Sequence, residues 1–350
     1  MPDILTIANG KKWSTERKMV LPSFHSRLFP TFDPVYQNRT NQLLANLKRY
    51  AETGVTFDLG LEVALFSTDV LCDNFLGVSM DILMKRDEDF ASSLLGKAYR
   101  EELKRRGESE GPVSLKRSKI FLDIFLDKIE TGEYEHPEEL QYVVGEIFTA
   151  GSVTQAVTLC WVLVLSGIFP EIGSRLHAEV DAVVNSDGGV TIQNCDKLEY
   201  LDMVIKETLR HFTVPFIIRV PKKDLHVNDF KTIPAGTRII LLLASLHHGP
   251  NYWEKPYEFY PDHFSPENVA KRPKSAFMPF AIGGRDCPGA RYAMQTMKVE
   301  LGQILSELRF TPVGMSPWRN VYAENDLRFS FVQSSKNGFK AKVELKKKKG

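Results

Sequence analysis

Apolar residues recur every three to four positions along most of this 350-residue chain, and proline and glycine interrupt the helices they predict. The helical pattern runs over 13–50 with breaks at Pro22, Pro30 and Pro34, then from Phe57 to Leu76, Lys119 to Ile129 and Lys197 to Phe212. Another begins just after Cys287. Short runs bounded by Pro, Gly, Asn or Asp predict strands at 216–220, 225–227, 237–243, near 329–332 and at 339–345. Residues 99–112 are dense in charge and lack large apolar side chains after Leu103, which predicts a loop or a frayed helix end. No internal repeat is evident. The pattern therefore predicts a mainly α fold with small β-sheets.

The stretch from Ile147 to Phe169 holds 23 residues and no charge, long enough to span a bilayer. Thr149, Ser152, Thr154, Gln155 and Thr158 crowd its first half, however, and no aromatic and basic belt flanks both ends. A long helix buried through a large domain accounts for it better than a membrane span.

Composition narrows the classes further. A net charge of +1 leaves no electrostatic footprint for nucleic acid. Cys72, Cys160, Cys195 and Cys287 are far apart and form no CxxC pair, which argues against a disulfide framework and a zinc site. Met1 leads into Pro2, Asp3 and Ile4 with no basic segment and no long apolar core, so no signal peptide is expected. The Lys346–Lys349 run reads as a solvated tail, with anionic lipid contact as the sharper alternative.

The chemistry concentrates at Phe280-Ala281-Ile282-Gly283-Gly284-Arg285-Asp286-Cys287-Pro288-Gly289. One thiol sits among three glycines, with an arginine two residues before it. Glycines allow positive φ and close approach to a flat object, and the arginine adds a fixed cation for an anionic group. Such a loop suits a cysteine presented to a metal as a thiolate, with backbone amides directed at the sulfur.

These ten residues fit F-x-x-G-x-R-x-C-x-G, with Phe280, Gly283, Arg285, Cys287 and Gly289 at the fixed positions, and here the chain resembles the cytochrome P450 family of haem-thiolate monooxygenases. The resemblance implies haem b (iron protoporphyrin IX) as cofactor, with Cys287 as the axial iron ligand pushing electron density toward O–O cleavage. Arg285 then faces a propionate and Gly283 lies in the turn. Trp13 and Arg17 match a W-x-x-x-R helix whose indole and guanidinium reach one propionate from a shared face. Arg219 matches a further propionate-directed arginine. Glu207 and Arg210 match the family's E-x-x-R salt bridge. Its usual third member, an arginine, is His263 here, in Tyr260-Pro261-Asp262-His263-Phe264, and histidine lacks the guanidinium fork, so a weaker staple is expected.

On the distal side the family pattern (A/G)-G-x-(D/E)-T-(T/S) matches Ala150-Gly151-Ser152-Val153-Thr154-Gln155. Gly151 is implied to widen the groove for dioxygen and Thr154 to steady it. Val153 stands where an acid relays protons and supplies none, and Gln155 replaces the second alcohol. Ala150 excludes the haem-esterified glutamate of the fatty-acid-hydroxylase-like branch, which the chain otherwise resembles among animal microsomal members. Substrate contacts implied by the match are Phe148, Ala150, Val214, Phe216 and Ser335.

The resemblance covers nearly all of residues 1–350 as a single, partial catalytic domain. The match leaves the family's anchor helix and N-terminal strands without counterparts, and a loop or deletion is expected in the distal roof around 81–118. It implies a monooxygenase on the cytosolic face of the endoplasmic reticulum membrane that inserts one oxygen atom from O2 into a lipophilic small molecule. Electrons would come from an NADPH-dependent flavoprotein reductase facing basic residues such as Lys18 and Lys298. The alternatives are a haem-binding relative without monooxygenase activity, of isomerase or dehydratase type, and an inactive truncated fragment.

Overall fold

The computed structural model describes residues 5–85, 120–134, 139–228, 231–315, 327–329 and 332–346. The expected loop at 99–112, most of 81–118 and all but the first residue of the lysine run lie outside these. The chain divides into two compact units: Met1–Asp202 with Pro288–Met315 and Gly338–Gly350, and Met203–Cys287 with Ser316–Asn337.

The first unit is built on helices. The predicted helix over 13–50 is α1 (Gly10–Val20), two 3-10 turns at Leu21–Phe24 and Ser26–Phe32, and α2 (Asp33–Thr53). The prolines set these breaks: Pro22 and Pro34 occupy first-turn positions, where a missing N–H costs nothing. Phe57–Asp58 is not helix but strand β1, paired with Ala341 and Lys340. Helix α3 (Leu59–Leu71) follows, its first turn capped by Asp58, which accepts from Gly60 N at 2.9 Å. After α4 (Ile82–Lys85) and α5 (Phe121–Glu130) comes α6 (Leu140–Ile168), beginning seven residues earlier than its uncharged core suggests.

Helix α6 is long and apolar enough to cross a membrane. Cys160, Trp161, Val162, Leu163, Val164 and Leu165 are nevertheless at most 1% exposed, so this half is the core of the unit. Trp161 meets Phe339 edge-on at 5.0 Å between ring centroids. Pro170 ends α6 and opens α7 (Pro170–Asp187), a helix not among those predicted from the apolar pattern. It buries Ile172, Leu176, Val180 and Val183 along one face and stops at Gly188. Helix α11 (Ala290–Glu307) is buried from Thr296 to Leu305. A three-stranded antiparallel sheet in the order β1, β9 (Lys340–Leu345), β6 (Leu308–Pro312) completes the unit, with Phe310 opposite Val343.

The chain enters the second unit within α8 (Glu199–His211). In the first unit the helix start is capped by Glu179 of α7, which accepts from Tyr200 N at 2.6 Å and Leu201 N at 2.9 Å. The second unit carries three antiparallel pairs: β2 (Phe216–Arg219) with β5 (Ile239–Leu242), β3 (Leu225–Asn228) with β4 (Lys231–Ile233), and β7 (Leu327–Phe329) with β8 (Gln333–Ser335). It also holds two one-turn helices, α9 (Leu243–Leu246) and α10 (Pro266–Ala270).

Candidate functional site

In the second unit Cys287 is exposed while Cys72 and Cys195 are buried in the first, as is Cys160. Its backbone N–H donates to Phe280 O at 2.9 Å, closing the loop, and Asp286 N donates to Gly283 O at 3.0 Å. Ala281 and Gly283 lie in the left-handed region, at φ 59° and 84°. An alanine there is strained, and Gly283 is the position where that conformation needs no Cβ. Arg285 is half-buried, and Gly289 lies just beyond the loop, immediately before α11.

What holds this loop is a buried ion pair. Glu207 and Arg210, three residues apart on α8, are both 0% exposed, and the guanidinium grips both carboxylate oxygens at 2.8 and 2.9 Å. Tyr260 N donates to Glu207 Oε1 at 2.8 Å, and His263 Nδ1 lies 3.3 Å from each oxygen. Burial alone would raise the Glu207 carboxyl, but the Arg210 charge and hydrogen bonds hold it well below the usual range. The remaining Arg210 N–H groups donate to the carbonyls of His247, Pro256 and Glu258 at 2.9, 2.7 and 2.9 Å.

The imidazole of that same His247 accepts from Met278 N at 3.0 Å, and Ala281 N in turn donates to Met278 O at 3.1 Å. An unbroken run of hydrogen bonds and backbone thus leads from Glu207 to the Cys287 loop. His263 therefore does contact the staple, although with one ring nitrogen in place of a fork. Arg272 adds a second cation beside it: it donates to His263 O at 2.6 Å and lies 4.2 Å over the Trp253 ring.

Three more histidines crowd this pair. Arg210 Nη2 lies 2.5 Å from His211 Nε2, which also lies 3.0 Å from Glu258 O, and burial, then the Arg210 charge, lowers this imidazole below its ordinary value. His211 Nδ1 lies 3.2 Å from His248 Nε2, and His248 Nδ1 lies 2.7 Å from Ala244 O. Burial, then the Arg210 charge, depresses His247 to about 3, and burial with neighbouring His211 does the same for His248. None of these roles was read from the sequence, where the adjacent His247 and His248 were the available signal.

Other expected cofactor and substrate contacts of this unit fall on β2, β8 and the segment between α8 and β2. Arg219, at the end of β2, is half-buried and donates from Nη1 to Ile218 O at 2.9 Å. Phe216 is 45% exposed, while Val214 and Ser335 are half-buried. Haem suits this donor set. An exposed thiol lies on a loop with Ile282 at 60% exposure, Phe216 and Ile218 are exposed on β2, and Arg219 and Arg285 supply cations for carboxylates.

In the first unit, Trp13 and Arg17 lie one turn apart on α1, both half-buried. Phe148, Ala150, Gly151 and Thr154 follow one another on α6. A Cβ on Gly151 would lie 3.0 Å from Leu71 Cδ1, so a larger residue there would push the Leu71 side chain of α3 aside. Thr154 Oγ1 donates to Ala150 O at 2.6 Å. Val153 is 40% exposed. Lys298, expected to face a reductase, is instead only 6% exposed and paired with Asp196 at 2.6 Å, while Lys18 is exposed.

The fold and the cysteine loop fit a haem-binding protein, and the similarities to known proteins give its family. The sequence pattern described as Cytochrome P450 matches residues 2–95 and 88–337. The chain belongs to the cytochrome P450 family, whose members bind haem and act as monooxygenases. Cytochrome P450 4V2 of Mus musculus is 28% identical over 355 residues, covering 87% of this chain and 67% of that protein. Cytochrome P450 3A7 of Homo sapiens is 27% identical over 355 residues, covering 89% and 70%. A crystal structure of a cytochrome P450 (CYP102L1) superposes with a TM-score of 0.83 over 99% of this chain and 82% of that one, at 19% identity, which supports the fold.

Proposed function

We propose that residues 1–350 act as one catalytic domain, a haem-dependent monooxygenase that oxygenates a lipophilic small molecule. Its electrons come from an NADPH-dependent flavoprotein reductase at the cytosolic face of the endoplasmic reticulum membrane. The observation that carries the reading is the exposed Cys287 thiol on a loop tied through Met278, His247 and Arg210 to the buried Glu207. Cys287 holds the iron as a thiolate, and Arg285, Arg219, Trp13 and Arg17 bind the propionates. Bound in this way, haem supplies the site for dioxygen activation. Phe280, Gly283 and Gly289 shape the loop, Gly151 and Thr154 line the oxygen side, and Phe148, Ala150, Val214, Phe216 and Ser335 contact the substrate. Glu207, Arg210 and His263 are structural.

A second reading, a haem protein that rearranges or dehydrates peroxides without external protons, is favoured by one feature of α6. Val153 offers no proton, and the Gln155 side chain is spent on Glu300 at 2.7 Å. Reconstitution with haem, reductase and NADPH under labelled dioxygen separates the two. One labelled oxygen in the product supports the monooxygenase. A haem spectrum with NADPH-independent conversion of a hydroperoxide supports the second.

A further inference from the structure

The stretch of α6 from Phe148 to Thr158 is bonded largely to itself. Ser152 Oγ donates to Phe148 O at 2.7 Å, Thr154 Oγ1 to Ala150 O at 2.6 Å and Thr158 Oγ1 to Thr154 O at 2.9 Å. Hydroxyls that bond back to the preceding turn compete with the amide ladder and bend helices. Such a stretch takes its exact path from whatever grips it. Among the described residues, one side-chain hydrogen bond joins it to another element: Gln155 Nε2 donates to Glu300 Oε2 of α11 at 2.7 Å.

Glu300 is 0% exposed and Gln155 5%, and Glu300 Oε1 is buried with no hydrogen-bond partner. The titratable groups that face the carboxyl are Tyr36 from α2 and Tyr292 from α11. They belong to a buried polar cluster in which Tyr36 Oη lies 3.0 Å from Thr296 Oγ1 and Asn74 Nδ2 donates to Tyr292 Oη at 2.9 Å. Burial pushes both phenols up, so they stay neutral. Among the described residues no cation faces Glu300. A buried carboxylate with one amide donor and an orphaned oxygen is too poorly solvated to stay ionised, so the group is held as the neutral acid. Burial pushes it up to about 8, with the Gln155 hydrogen bond opposing only in part.

We propose that Glu300 is a positioning residue for the oxygen side of α6: as a neutral acid it grips Gln155 and sets Gly151–Thr154, and its ionisation resets that turn. The anion must recruit donors or water that the acid does not need, and Gln155 is the donor already in contact with it. This rests on the proposed function only in assigning Gly151–Thr154 to the oxygen side. Nothing in the spacing marked Glu300, since its partner lies 145 residues away.

The test uses carbon monoxide on the ferrous, haem-loaded chain, because its stretching frequency responds to polar groups beside the bound ligand. In the unaltered chain the stretch is expected to move between two values with a midpoint near pH 8, the value to which Glu300 is raised. In Glu300→Gln it should be independent of pH. Infrared spectra should also show a neutral carboxylic-acid band at pH 7 that titrates with the same midpoint and is missing from Glu300→Gln. Amide hydrogen exchange over residues 148–158 supplies a readout that needs no haem, and it should show the same pH step and the same loss. Absence of the acid band overturns the proposal. So does a band whose removal leaves both the stretch and the exchange profile unchanged. Failure to bind haem at all overturns the proposed function instead, and the band and the exchange still decide the role of Glu300. Should Glu300→Gln fold poorly, Gln155→Leu must remove the pH step while keeping the acid band.

Discussion

Glu207 of α8 and Glu300 of α11 are both 0% exposed, yet their surroundings send them in opposite directions. Glu207 is gripped through both oxygens by Arg210 and receives Tyr260 N and His263 as well, and its carboxyl is held far down. Glu300 receives one amide and is pushed up to about 8. Burial alone does not decide the charge of an acid. The count of donors and the presence of a cation do. The two sites also differ in cost. The first is an anion whose desolvation is repaid by an arginine that is itself saturated with carbonyls. The second is an acid held neutral at the expense of stability, which is the pattern of a group retained for what it does.

The largest effect that would break this contrast is at Glu207. Glu207→Ala strands Arg210 as an unpaired buried cation, a loss of about 3–5 kcal/mol. The expected outcome is aggregated or haem-free protein, and normal yield and haem content would show the pair to be dispensable. The effect at Glu300 has the opposite sign. Its folded value of about 8 lies above its ordinary 4.5. Between those values the folded chain holds a proton the unfolded chain has lost, so stability falls as pH rises from about 4.5 to 8. Replacing both partners, Gln155→Leu with Glu300→Leu, removes that penalty. Urea unfolding should show a gain on the order of 3 kcal/mol at pH 7, shrinking toward pH 5.

His247 sharpens the comparison from the side of the loop. His247→Ala leaves the Met278 amide unsatisfied and should cost about 1–3 kcal/mol at pH 7, with faster loss of haem on warming. His247 is depressed from 6.5 to about 3 by burial and then by Arg210. Stability due to the neutral ring is complete above 6.5 and is lost as pH falls toward 3, so the variant should show a shallower acid limb in its pH–stability curve. The smallest change is Val153→Asp. At 40% exposure the new carboxylate should shift stability by no more than about 0.5 kcal/mol. It should raise product formed per NADPH modestly if proton supply limits the oxygen side. Efficient coupling in the unaltered chain, with Val153→Asp no better, would show that water delivers the protons.

Local periodicity made much of this legible. The uncharged run of α6, the i, i+3 spacing of Glu207 and Arg210 and the cysteine loop all depend on residues close in sequence. What stayed hidden depends on distant partners. Phe57–Asp58 reads as the start of a helix until β9 pairs with it, and β6 is a strand because β9, some thirty residues on, lies beside it. Arg39 carries no signal on a polar helix, yet it is buried and bonded to Asp73 at 2.6 Å and Asp81 at 2.8 Å. Lys298 reads as a surface cation until Asp196 is placed against it. Helix α7 is the exception, since its apolar spacing, Pro170 and Gly188 were all local signals.

The central claim, that Cys287 is the thiolate ligand, is tested most directly by the reduced carbon monoxide difference spectrum of the purified, haem-loaded chain. The unaltered chain, Cys72→Ser, Cys160→Ser and Cys195→Ser should all show the red-shifted Soret band of a thiolate-ligated ferrous carbonyl, and Cys287→Ser should lose it. An unchanged band in Cys287→Ser would contradict the assignment.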